Sequence, residues 1–169
     1  MKPDGGKNEL AKLRENDEKF ERKKRKVPRA KELEQKLKKC ESFAGIFKDT
    51  DIKNIIIQEY PLSIIVLVNS HWMMIYISKR KLEIYASLGD IFSENYKNIQ
   101  RFVSKNLSGK KLYILHQVQS DDSLYCSYFV LCFSALKSMG YSFLNILNEF
   151  SFNFERNQST VFSFVDRFY

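Results

Sequence analysis

Between residues 61 and 117 the chain sets short runs of β-branched and aromatic residues between polar breaks. The ranges 63–69, 72–78 and 81–86 are dense in Ile, Val, Tyr and Met, and each has the length of a strand. Lys79-Arg80 is the predicted turn between the second and third, and 111–117 reads as another strand. From 90 to about 105, Ile91, Tyr96, Ile99, Phe102 and Val103 recur at helical spacing, and Ser108-Gly109 ends that element. Residues 122–139 differ: Tyr125, Phe129, Val130, Leu131, Phe133 and Leu136 leave almost no polar face. A helix apolar on every side belongs in the centre of a domain. Further helices are predicted near 142–150 and 158–169. The order predicts an α+β fold, with a small, mostly antiparallel sheet packed on a central buried helix and other helices flanking it.

Residues 1–39 follow another pattern. They interleave acidic and basic side chains with few large apolar ones, too few for a core of their own. Pro28 divides them, and beyond it Leu33, Leu37 and Cys40 stand at i, i+4 and i+7, which predicts a short helix docking onto the domain. The division is therefore a basic leader over 1–39, partly helical or disordered, and a folded domain over 40–169. Charge follows the same division. The leader holds 15 of the 28 Lys and Arg and 8 of the 20 Asp and Glu. The net charge of +8 thus belongs mostly to it, and the domain is close to neutral. Lys23, Lys24, Arg25 and Lys26 resemble a nuclear-import signal or a phosphate-binding arm; a solvated charge run fits the same residues.

Cys40, Cys126 and Cys132 make an odd number without paired spacing, which predicts free thiols in a reducing compartment. Two isolated histidines and no C-x-x-C fall short of zinc spacing. The apolar run over 61–77 is broken by Asn69, Ser70 and His71, as two strands and a turn would be, and not as a membrane span would be.

One of these thiols has chemistry within reach. Cys126 falls in the first turn of the predicted central helix, just past Asp121, Asp122 and Ser123, any of which could cap it. The positive end of a helix favours a thiolate and lowers the thiol pKa. Cys132 lies deeper in the same helix and gains nothing comparable. Acyl transfer by cysteine also needs a base and a hydrogen-bond donor for the oxyanion. His71, at the start of a strand and followed by Trp72, is the candidate base. Gln117 and Gln119 compete as donor, and Gln119 lies nearer the loop that must fold back over the thiol. His116 reads as structural. Taken singly, Cys126 also fits a buried structural cysteine.

Together these residues resemble the adenovirus-type (adenain-like) cysteine proteases, part of a larger group that includes the SUMO-specific proteases. The chain looks most like their short forms in virophages and Maverick/Polinton-type DNA elements. The matching segments are His71-Trp72, Tyr85-Ala86-Ser87-Leu88-Gly89, Gln119-Ser120 and Cys126-Ser127-Tyr128, with Phe43-Ala44-Gly45-Ile46-Phe47 ahead of them. The similarity covers about residues 40–169. It implies catalysis by His71 and Cys126, with Gln119 in the oxyanion hole. Two departures stand out. Ser127 replaces a glycine, and Ala86 occupies the place of the family's Asp or Glu. Either the enzyme works as a His71/Cys126 dyad, helped by a water or by Asp90, or it is impaired.

The resemblance implies a monomeric cysteine endopeptidase that trims viral capsid and core precursor proteins during virion maturation, in the virion and the host-cell interior (viral factory or nucleus). It implies no obligatory cofactor, no metal and no membrane, with DNA or a short activating peptide as stimulators and the basic leader as the arm that would hold DNA. Two alternatives stay open: a protease that removes a ubiquitin-like modifier, and a binding or scaffold protein that kept the fold and lost catalysis.

Overall fold

The computed structural model describes residues 25–169. Its centre is a five-stranded sheet whose spatial order follows the chain: β1 (Phe43–Lys48), β2 (Leu62–Val68), β3 (His71–Ile77), β4 (Lys81–Tyr85) and β5 (Lys111–Ile114). The inner pairings, β2–β3 and β3–β4, are antiparallel, and the outer ones, β1–β2 and β4–β5, are parallel. The α+β expectation holds, in a mixed sheet. Parallel neighbours need a crossover, and helix α2 (Lys97–Asn106) supplies the one between β4 and β5.

Both faces of the sheet are covered, which is why its strands read as nearly continuous apolar runs. Alternation divides β3 cleanly. Met74 joins Ile65 and Tyr85 in a core under helix α3 (Cys126–Ser138), flanked by α1 (Ala30–Leu37), α4 (Phe143–Leu147) and α5 (Phe154–Phe168). Met73, Ile75 and Ile77 join Ile64, Val66, Leu82 and Ile84 in a second core under α2, with Ile99, Phe102 and Val103. Leu33 and Leu37 are fully buried, so α1 is part of the first core. Two of the strand connections are tight. Asn69 and Ser70 both take positive φ (47° and 68°), as a two-residue hairpin requires, and bring Val68 opposite His71. At the other end Lys79-Arg80 turns as predicted, with Ser78 N–H donating to the Lys81 carbonyl.

Two helices start later than their periodicity suggested. Helix α2 begins at Lys97, behind a 3₁₀ turn over Glu94–Tyr96. The segment ahead is held otherwise: Asp90 Oδ1 accepts the Phe92 N–H, and Gln100 Nε2 donates to the carbonyls of Ile91 and Ser93. Helix α3 begins at Cys126, because residues 119–124 fold into turns held by glutamine side chains.

The far end of α3 carries a buried ion pair. Lys137 Nζ lies 2.8 Å from Glu83 Oε2 on β4, with both side chains almost wholly enclosed. The Tyr85 hydroxyl donates to the same oxygen at 2.7 Å, and the Lys137 ammonium sits 4.2 Å from the centre of the Tyr76 ring. Removing one partner of such a pair strands the other charge in the interior. Lys137→Met is expected to cost about 3 kcal/mol or more, read as a fall in the urea midpoint, and Glu83→Gln on top of it should recover part of the loss.

Candidate active site

Cys126 is the first residue of α3, preceded by Tyr125 at the cap position with no side-chain cap. The expected caps do not form. Asp121 accepts from Gln117 Nε2 and Asp122 from Ser120 Oγ, while the Ser123 hydroxyl bonds Gln158 and the Tyr125 N–H. The turns over 119–124 hold these groups short of the helix, so its first N–H groups stay open. They face the Cys126 sulfur: the N–H groups of Cys126 and Ser127 both bond it. A third N–H comes from the sheet. Trp72, beyond the last β3–β4 pair at Met74–Tyr85, donates its N–H to Cys126 Sγ at 3.4 Å. The thiol is thereby fixed beside the start of β3, one residue from His71.

The expected lowering of this thiol's pKa is overturned. Burial pushes Cys126 up, and the three N–H groups of Trp72, Ser127 and Cys126 offset that only in part. The cysteine is 5% exposed, and desolvation of a thiolate outweighs the pull of the helix end. Cys132 is fully buried and pushed far higher, as befits a structural thiol. Cys40 is buried too, its sulfur 3.2 Å from the Tyr169 hydroxyl.

His71 is half-buried at the first position of β3, and among the described residues its ring makes no hydrogen bond, to Cys126 Sγ or to anything else. Catalytic base–nucleophile contacts are often open before substrate arrives and tighten in the complex. Its surroundings follow from the sheet. Extending the β3–β4 register past Met74–Tyr85 would set Met73 against Ala86, but the chain turns away there. Gly89 N–H closes a turn on the Ala86 carbonyl, and the Ser87 carbonyl accepts from Val118 and Gln119 instead. Gly89 is required: at φ +83° a Cβ would come within 2.8 Å of the Gln117 nitrogen. Where the strands part they leave a cavity of about 10 Å³, lined by His71, Trp72, Met73, Ala86, Ser87, Leu88 and Tyr96. Ala86 thus lines the same cavity as the imidazole. Asp90, the other carboxylate considered, is exposed, holds the Phe92 N–H and makes no hydrogen bond to His71.

Gln119 is 1% exposed. Its Oε1 accepts from the Ser87 hydroxyl at 2.5 Å, and its Nε2 donates to the Ser123 carbonyl at 2.8 Å. One of the two amide hydrogens is therefore committed to shaping the loop ahead of Cys126, and the second makes no hydrogen bond to a described residue. Gln117 serves the same loop, donating to the Gln119 carbonyl and to Asp121. His116 packs against Phe152, as a structural residue.

Of the basic cluster, Lys23 and Lys24 lie outside the described residues. Arg25 pairs with Asp166 at 2.7 Å and stacks on Phe162, and Lys26 pairs with Glu32. Among the described residues no cluster of His, Cys, Asp or Glu could hold a metal, and no helix is long and apolar enough to cross a membrane.

Two participants escaped the sequence reading. Ser87 orients Gln119 from the neighbouring strand end, and Tyr96 lines the cavity with His71. Tyr96 shows in sequence only as one apolar position on a helical face.

No family model and no curated protein matches the chain. Among solved structures it is similar to the SUMO protease Ulp1 with its catalytic cysteine oxidized to a sulfenic acid. The TM-score is 0.40 and the identity 11%, over 81% of this chain and 75% of that one.

Ser127, in the position of the expected glycine, is fully buried, and its hydroxyl has no partner among the described residues. An unpaired buried hydroxyl is a net cost. Ser127→Ala is expected to raise stability by about 1 kcal/mol, seen as a higher thermal midpoint, with Cys126 reactivity unchanged.

Proposed function

We propose that the chain is a cysteine endopeptidase with Cys126 as nucleophile and His71 as base. The observation that carries this is the seat of the Cys126 sulfur, at an open helix start, faced by three N–H groups and next to a histidine whose ring is otherwise uncommitted. Because burial keeps the group a thiol at neutral pH, the proton must leave as the sulfur attacks. General-base catalysis is the step this demands. His71 takes the proton, the S–C bond forms, and the carbonyl π electrons move to oxygen. The N–H groups of Cys126 and Ser127 are then released from sulfur to hold that oxygen, with the second amide hydrogen of Gln119. The protonated His71 gives its proton to the leaving amine as the C–N bond breaks. Water, deprotonated by the same ring, hydrolyses the thioester.

The substrate class we assign is viral capsid and core precursor protein. It rests on the resemblance carried by His71-Trp72, Gln119-Ser120 and Cys126-Ser127-Tyr128. The alanine at 86 favours one competitor, a protease fold retained for binding, and a single experiment separates the two. Iodoacetamide alkylation, localised by peptide mapping, should find Cys126 reacting at neutral pH much faster than Cys40 or Cys132. His71→Ala should slow it about 10²-fold or more and move its rise to pH values above those of an ordinary thiol, since burial raises the group when no base assists. Cleavage of a Gly-Gly-containing peptide should vanish in Cys126→Ala. Alkylation of Cys126 as slow as that of Cys132, and indifferent to His71, would overturn the proposal.

A further inference from the structure

A catalytic imidazole uses both ring nitrogens. One handles the proton in transit, and the other needs a hydrogen-bond partner that fixes tautomer and orientation. With alanine at 86, that partner must come from elsewhere around the ring. The cavity where β3 and β4 part has room for about one water, and two polar side chains that line it, those of His71 and Tyr96, make no hydrogen bond to any described residue. A third, the Ser87 hydroxyl, gives its hydrogen to Gln119 and keeps its lone pairs. Tyr96 is held there by the chain. It closes the 3₁₀ turn that leads into α2, half-buried against the core that also contains Met73 and Ala86.

We infer that Tyr96 is a positioning residue for His71, its hydroxyl holding the imidazole through one water seated beside Ala86. The inference rests on the peptidase reading above. Such a water has the partners it needs in the imidazole, the phenol and Ser87, and water-mediated bonds are nearly as good enthalpically as direct ones. Burial first, then the Asp90 carboxylate, and Cys126 only once it has ionised, raise the Tyr96 pKa, so the group stays a neutral hydroxyl that can donate or accept. Asp90 would then act on His71 at one remove, through the field it sets at Tyr96. The arrangement also limits what position 86 can take: a space for one water accommodates a hydroxyl more readily than a carboxylate.

The test measures Cys126 alkylation against pH, together with kcat and KM on a cleavable peptide. Tyr96→Phe should lower kcat and the neutral-pH alkylation rate about 5- to 20-fold, the loss of about one hydrogen bond, and reshape the acid limb of the pH profile with KM unchanged. Ala86→Ser in the Tyr96→Phe background should recover much of the loss by putting its own hydroxyl in the cavity. A purely structural defect would not be repaired that way. Should Tyr96→Phe fail to fold, Ala86→Val fills the cavity with methyl groups and should produce the same loss. Unchanged kinetics in Tyr96→Phe, or in Ala86→Val, overturns the inference while a His71-dependent thiol leaves the peptidase reading standing. Alkylation that ignores His71 altogether removes both.

Discussion

Everything at the site depends on how the helix that begins at Cys126 is pressed against one strand. Helix α3 follows β3 in the same direction and touches it at three levels: Cys126 Sγ at the Trp72 amide, the Ser134 hydroxyl on the Met74 sulfur at 3.2 Å, and Lys137 over the Tyr76 ring. Thirteen helical residues span about 20 Å. The Glu83–Lys137 pair holds one end and the Cys126 thiol occupies the other. Between them lie buried side chains of one core, among them Met74, Phe129 and Phe133, and close packing resists sliding better than any single bond. A shift of one helical turn would carry the sulfur away from the strand end and leave a carboxylate buried without its cation. The position of the Cys126 sulfur is therefore decided across the length of the core.

The site itself forms where regular structure stops. Strand β4 turns away after Tyr85, β3 runs on to His71 without a partner on that side, and α3 begins without a cap. Each ending frees backbone donors or space that a continuous element would have used. Three such endings converge here, so the fold can set the Cys126 thiol among N–H groups at the start of β3, one residue along the chain from His71. Gln119 and Ser87 keep the endings apart by fixing the loop from both sides.

Much of this was legible in the chain, for identifiable reasons. The three inner strands follow from short β-branched and aromatic runs between polar breaks, and α3 from a run so apolar that only the interior suits it. The thiol at the helix start and the histidine at the strand start follow from the same boundaries. What stayed hidden depends on tertiary context. Asp121, Asp122 and Ser123 look like caps, yet each finds a closer partner in the folded loop. The helix end promised a more acidic thiol, and burial reversed the sign. Tyr96 is fifteen residues ahead of the β5 start, and no local pattern says that its turn will deliver it to His71. The second half of the leader docks through Leu33 and Leu37 as its spacing predicted, but the contacts of Arg25 with Asp166 and of the Lys26 carbonyl with the Tyr128 hydroxyl, on residues read as a free basic run, had no signal in the sequence.

The hairpin at Asn69-Ser70 has a consequence for how such a chain can change over time. Surface loops generally tolerate insertions and deletions, but this one hands the chain directly to His71, with no intervening residue to absorb an error. Adding or removing one amino acid there would rotate the following strand by half a pleat, sending the imidazole to the opposite layer and exchanging its two buried rows of side chains. A change of loop length at this spot would therefore be costly, even though the spot lies at the solvent boundary.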